Sequence, residues 1–213
     1  ENIDAVASII ESGNRFVVLS HKNPDGDAVG SSIALMLYLR SRGKEGVVVL
    51  PNRFPEFLSW LPSADEVLFY DTDTENAKAA FETADAFFCL DFNLLSRIGE
   101  AGEVVAALDA PKVLIDHHPQ PSQEFSVSIS HPEACSTAEL VFRVIGRLSG
   151  IAAVSYEMAQ SIYTGMMTDT GAFAYASTRK DIYLIIAELL AKGIDKDWIY
   201  RKVFYTSSLT RMR

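Results

Sequence analysis

Four polar side chains fall within seven residues near the start of the chain: His21, Asn23, Asp25 and Asp27, in the stretch SHKNPDGDAVGSS over residues 20–32. They follow directly on the apolar run Phe16-Val17-Val18-Leu19. On extended backbone their alternate spacing would put all four on one side. Pro24 and Gly26 interrupt a regular strand, so the pattern predicts a shaped loop. An imidazole and two carboxylates converging there could hold a divalent cation. The same residue types build ordinary chain reversals, so this stretch alone leaves a metal site and a simple turn both open.

Further groups of the same chemistry recur. Asp91 ends the run AFFCL over residues 86–90, and Asp116-His117-His118 ends KVLI over residues 112–115. Asp169 lies in TDTG, a sequence that also reads as a helix end followed by turn residues. Three of the four histidines thus stand beside carboxylates at expected strand ends, whereas His131, before Pro132, reads as a loop residue. No cysteine joins the set, which argues against a structural zinc site. Mixed carboxylates and imidazoles suit Mn²⁺, with Mg²⁺, Co²⁺ or Fe²⁺ as other occupants. The candidates exceed what one ion needs, so a pair of ions is expected. Two ions about 3.5–4 Å apart can activate water and clamp a phosphoryl group, and no serine or cysteine nucleophile is then required.

The elements that must position these groups follow from hydrophobic periodicity. Helices are expected over residues 3–12 (with Ile3, Val6, Ile9 and Ile10 on one face), 28–42, 74–83, 94–107, 155–168, 179–192 and 197–204. Strands are expected over 16–20, 47–50, 67–70, 86–90, 112–115 and 127–130. Gly30 would let the first turn of the second helix approach a strand or a ligand closely. Ser136-Thr137-Ala138-Glu139 has capping-box spacing and should open a helix through Leu148. Phe54, Phe57 and Trp60, among Pro51, Pro55 and Pro62, read as core rather than as a stacking platform. Strand–helix alternation predicts an α/β fold with a mainly parallel sheet flanked by helices. In such sheets ligands bind at the carboxyl ends of the strands, where three of the polar clusters fall.

The whole chain sets further bounds. Its 213 residues are 48% hydrophobic and 22% charged, the composition of a soluble globular protein with a proper core. No apolar run approaches the roughly 20 residues of a membrane span, and the first residues lack a signal-peptide pattern. Cys89 and Cys135 are the only cysteines. Cys89 sits in an apolar run as a small buried hydrophobe, so no disulfide framework is indicated and a cytoplasmic location is expected. A net charge of −9 with scattered Lys and Arg disfavours a long nucleic-acid track. It leaves room for a short phosphorylated substrate.

Taken together, HKNPDGDAVGSS, the Asp91 strand end, DHH at 116–118 and GMMTDTGAF at 165–173 resemble, in that order, the four motifs of the DHH phosphoesterase family. FNLLSRIGE after Asp91, and HPEACSTAELVFRVI, resemble its branch of oligoribonucleases (nanoRNases) that also dephosphorylate 3′-phosphoadenosine 5′-phosphate (pAp). The resemblance implies that His21, Asp25 and Asp91 hold one metal ion. It implies that Asp27, Asp91, His117 and Asp169 hold a second, with Asp91 bridging. Asp116 would orient a histidine from behind, and His118 would touch the substrate phosphate or assist the leaving oxygen. Asn23 would tune the attacking water or fix its loop, and Arg97 would reach a phosphate or serve structurally.

The implied activity is metal-dependent hydrolysis of short oligoribonucleotides to mononucleotides, and of pAp. A cyclic-dinucleotide phosphodiesterase, a RecJ-like single-strand exonuclease, a family II pyrophosphatase and a non-catalytic nucleotide sensor are the other readings. Residues 1–204 would form the catalytic domain, and 205–213 the start of a linker to a second, substrate-binding domain whose Gly-rich motif this chain does not contain. The partner would be a short RNA or a nucleotide phosphate rather than a membrane, with homo-oligomerisation left open.

Overall fold

A computed structural model describes residues 2–205. The linker expected over 205–213 lies, apart from Tyr205, outside the described residues. Six strands among the described residues form one parallel sheet: β1 (Arg15–Ser20), β2 (Glu45–Leu50), β3 (Leu68–Phe69), β4 (Ala86–Leu90), β5 (Lys112–Asp116) and β6 (Val127–Ser130). Their order is β3-β2-β1-β4-β5-β6. The uninterrupted apolar runs of β1, β4 and β5 have a direct cause. Both sheet faces are covered, so neither set of alternating side chains meets water.

Val18, Phe88, Leu90 and Ile115 enter one core with α1 (Ile3–Ser12), α2 (Gly26–Ser41), α5 (Thr137–Ser149), α6 (Tyr156–Asp169) and α7 (Lys180–Ala191). Val17, Leu19, Phe87, Cys89 and Leu114 face the opposite core, built with α3 (Thr74–Glu82) and α4 (Glu100–Ala106). Burying each large apolar side chain stabilises by about 1.5–3 kcal/mol. The result is a three-layer α/β sandwich. Phe54, Phe57 and Trp60 pack against the first core, and Trp60 meets Trp198 of α8 (Lys196–Tyr200) edge-on at 4.8 Å between ring centroids.

The chain runs from β1 outward through β2 and β3, then returns past β1 to β4. The strand order therefore reverses between β1 and β4, the place in such sheets where a crevice opens. The parallel register sets Ser20 opposite Leu90, and the Ser20 hydroxyl donates to Leu90 O at 2.8 Å. The loops that begin at His21 and Asp91 thus start side by side.

Several local expectations need correction. The second helix starts at Gly26, two residues before the expected position 28, because Asp25 caps it: Asp25 Oδ1 accepts from Asp27 N at 3.0 Å and Ala28 N at 3.1 Å. Asp27 therefore belongs to a helix turn and not to the loop. Gly30 makes its close approach to α6, where an added Cβ would collide with Ser161 O, rather than to a strand or a ligand. The stretch 94–107 is not one helix, since Gly99 at φ 61° separates a 3-10 turn (Leu95–Ile98) from α4. The expected helix over 197–204 is α8, continued by a π-helical turn over Arg201–Tyr205. No described helix is long and apolar enough to cross a membrane.

Candidate metal centre

His21 and Asp91 leave adjacent strands, and Asp91 is the hinge of the whole arrangement. Its backbone takes φ 64°, left-handed geometry that Asp tolerates better than most residues. The residue is 3% exposed. Its Oδ2 lies 3.4 Å from His21 Nε2, and its Oδ1 lies 3.6 Å from His117 Nε2. The two oxygens of one carboxylate thus face two different imidazoles.

Those imidazoles turn Nε2 toward the carboxylates. His21 Nδ1 lies 2.9 Å from Lys22 O and His117 Nδ1 lies 3.3 Å from Ala134 O. A carbonyl only accepts, so each Nδ1 carries a hydrogen, and in that tautomer of the neutral ring Nε2 offers a lone pair. A lone pair facing a carboxylate oxygen at such range is repulsive unless a proton or a cation lies between them. Backbone-anchored Nδ1 with outward Nε2 is the arrangement by which proteins orient histidine toward a metal.

The remaining acidic groups close around this axis. His21, Asp25 and Asp91 offer ligand atoms within 4.8 Å of one another, as do Asp27, His117 and Asp169, and also Asp91, His117 and His118. Asp169 ends α6, and its Oδ2 lies 3.6 Å from His117 Nε2. Asp27, only 1% exposed, receives Thr137 N at Oδ2 (2.6 Å) and Ala138 N at Oδ1 (2.9 Å), so it also caps the start of α5.

The electrostatics are those of crowded anions. Burial, then the Asp91 and Asp169 carboxylates, push Asp27 well above the usual carboxylate range. Burial, then Asp25, do the same to Asp91. Burial raises Asp169 despite the opposing pull of His117. Positive charge placed among these groups would offset the cost of ionising them together. The donor set of carboxylate oxygens and imidazole nitrogens, without thiolate, fits Mn²⁺, Mg²⁺ or Co²⁺.

Asp116 and His118 form a pair at the edge of this cluster. Asp116 is fully buried at the end of β5, and His118 Nδ1–H donates to its Oδ1 at 2.8 Å. That hydrogen bond holds the His118 pKa above its ordinary value and outweighs the opposing effect of burial. Asp116 therefore supports His118 and not His117. Arg97 is exposed, and its charge is felt at His118; its backbone carbonyl accepts from Lys22 N at 3.0 Å. Asn23 sits exposed at φ 56°, with its N–H donated to Asn52 Oδ1 at 2.7 Å.

One participant escaped the sequence reading. Thr137, fully buried, donates its hydroxyl to Asp91 Oδ1 at 3.0 Å in addition to its backbone bond to Asp27. Its local signal, the capping box, announced only a helix start. The Ser136 hydroxyl does accept from Glu139 N at 3.1 Å. Glu139 instead reaches Cys135 N at 2.7 Å and pairs with Arg179 and Arg143.

Known proteins resemble the chain over most of its length. The model of the DHH family, N-terminal domain, matches residues 15–166. The chain is 30% identical over 195 residues to the bifunctional oligoribonuclease and PAP phosphatase NrnA of Thermus thermophilus, covering 91% of this chain and 55% of that protein. It is 22% identical over 210 residues to the cyclic-di-AMP phosphodiesterase GdpP of Bacillus subtilis, covering 90% of this chain and 30% of that one. An exopolyphosphatase-related protein from Bacteroides fragilis superposes with a TM-score of 0.94 at 49% identity, covering 96% of this chain and 60% of that one. The exonuclease RecJ bound to manganese shares the fold, with a TM-score of 0.52 at 16% identity over 90% of this chain and 48% of its own. The chain thus spans a little over half the length of the NrnA protein. With its parallel sheet, its ordered motifs and the match over residues 15–166, the chain belongs to the DHH family.

Proposed function

We propose that the chain carries the catalytic centre of a two-metal phosphoesterase that hydrolyses short oligoribonucleotides to mononucleotides and removes a phosphate from pAp. The carrying observation is the Asp91 carboxylate, whose two oxygens face His21 and His117 on either side. His21, Asp25 and Asp91 would hold one ion, and Asp27, Asp91, His117 and Asp169 the other. Bound there, as Mn²⁺ by the donor set, the ions would supply Lewis acidity and lower the pKa of water.

The protein's own groups do the rest. Asp116 accepts from His118 Nδ1 and favours the imidazolium form, whose Nε2–H can donate to a phosphoryl or leaving oxygen. Arg97, exposed beside His118, adds positive charge where a phosphate would arrive. Asn23 shapes the loop through Asn52. Residues 1–204 are assigned the catalytic role, and 205–213 the start of a linker. The two cysteines are free and buried, in keeping with a cytoplasmic location.

The test is hydrolysis by the full-length protein, with Mn²⁺, of a labelled RNA dinucleotide, a long single strand, a cyclic dinucleotide, pAp and pyrophosphate. Preference for the RNA dinucleotide and pAp is expected. Preference for any of the others moves the protein to another branch of the family, and metal binding without turnover makes it a sensor. Asp91→Ala is expected to lose activity at least about 100-fold; wild-type turnover and metal content in that variant would refute the two-metal centre.

A further inference from the structure

We infer that Thr137 is the positioning residue that sets the rotation of the Asp91 carboxylate, so that one oxygen faces each half of the centre. The inference rests on the two-metal reading proposed above and adds a residue to it. The terminal torsion of an aspartate is soft and roughly two-fold, so a buried bridging carboxylate needs an external constraint. Of the two Asp91 oxygens, Oδ1 receives the Thr137 hydroxyl at 3.0 Å and also faces His117 Nε2 at 3.6 Å. The other, Oδ2, is left to His21 at 3.4 Å.

A carboxylate only accepts, so the Thr137 Oγ1 hydrogen is committed to Asp91. Thr137 is itself fixed. It is the first residue of α5, fully buried, with its N–H donated to Asp27 Oδ2 at 2.6 Å. One residue therefore grips a carboxylate assigned to the second ion and the carboxylate that joins both.

The experiment is calorimetric titration of Mn²⁺ into chelator-stripped protein, comparing wild type with Thr137→Val, Thr137→Ser and Thr137→Ala. Valine keeps the shape and the backbone N–H but loses the hydroxyl. Serine keeps the donor. Expected is a 10–100-fold loss of Mn²⁺ affinity in Thr137→Val, the usual effect of removing a group that orients a metal ligand, with affinity restored in Thr137→Ser. Thermal unfolding in chelator checks that each variant is folded, and Thr137→Ala carries the same test if the valine variant is not.

If wild type binds two ions and the hydroxyl-free variants bind them equally well, the role of Thr137 is overturned and the two-metal reading stands. If Thr137→Ser binds as weakly as Thr137→Val, the hydroxyl is not the determinant and the inference fails. If wild type binds fewer than two ions, the two-metal reading fails and takes this inference with it.

Discussion

Gly165 of α6 lies against Asp27 of α2 so closely that a Cβ at position 165 would stand 2.8 Å from Asp27 Oδ1 and 2.6 Å from Ala138 Cβ. The bare backbone of Gly165 is what lets α2, α5 and α6 converge beneath the acidic cluster. Gly165→Ala must therefore displace either the helix or the carboxylate. Overpacking of this kind costs about 1–3 kcal/mol. The expected outcome is a lower denaturation midpoint together with weaker Mn²⁺ binding; a variant with the wild-type midpoint and affinity would show that the contact relaxes freely.

Removing metal should destabilise the fold. Asp27 and Asp91 are buried among like charges, and a ligand that binds only the folded chain stabilises it by mass action. At 100 times its dissociation constant, Mn²⁺ should add about 2.7 kcal/mol. Thermal unfolding with chelator and with added Mn²⁺ measures this. An unchanged midpoint at saturating Mn²⁺ would contradict a native metal centre.

Asp116→Asn separates orientation from metal binding. The variant keeps a side chain of the same shape but loses the charged acceptor of the 2.8 Å bond from His118 Nδ1. We expect kcat to fall about 10–100-fold while the number of bound ions stays at the wild-type value. Loss of the ions would instead make Asp116 part of the metal site itself.

Glu139 should make stability sensitive to acid. Burial alone would raise its pKa, but hydrogen bonds from Cys135 N–H, Arg179 and Arg143 prevail and hold it below the ordinary glutamate value. A depressed folded pKa means that the stabilisation is present above the unfolded value of about 4.3. It is lost as pH falls from there through the folded value. Glu139→Gln should cost about 1–3 kcal/mol at neutral pH and flatten the decline in urea midpoint below about pH 4.3. An equally steep decline in the variant would assign the acid sensitivity elsewhere.

Much of this protein was legible in its sequence because the deciding signals are local. A parallel strand covered on both faces must be an unbroken apolar run, so AFFCL and KVLI marked their own ends and placed Asp91 and Asp116 there. Residue chemistry likewise singled out His21, Asp91 and His117, whose side chains the structure brings together. Boundaries were less legible where a single residue overrides the periodic pattern, as when the Asp25 side chain starts α2 two residues early or the Gly99 backbone splits the expected helix.

What the tertiary structure alone decided is which distant groups meet. The order β3-β2-β1-β4-β5-β6 makes β1 and β4 neighbours and brings His21 to Asp91. Nothing in the first strand names its partner 70 residues later, because pairing depends on crossover and register rather than on composition. The same holds for Thr137, which meets Asp91 across 46 residues and Asp27 across 110. Locally it is only the first residue of a helix. Its role exists because packing of α2, α5 and α6 against one sheet face turns that helix start toward the carboxylates.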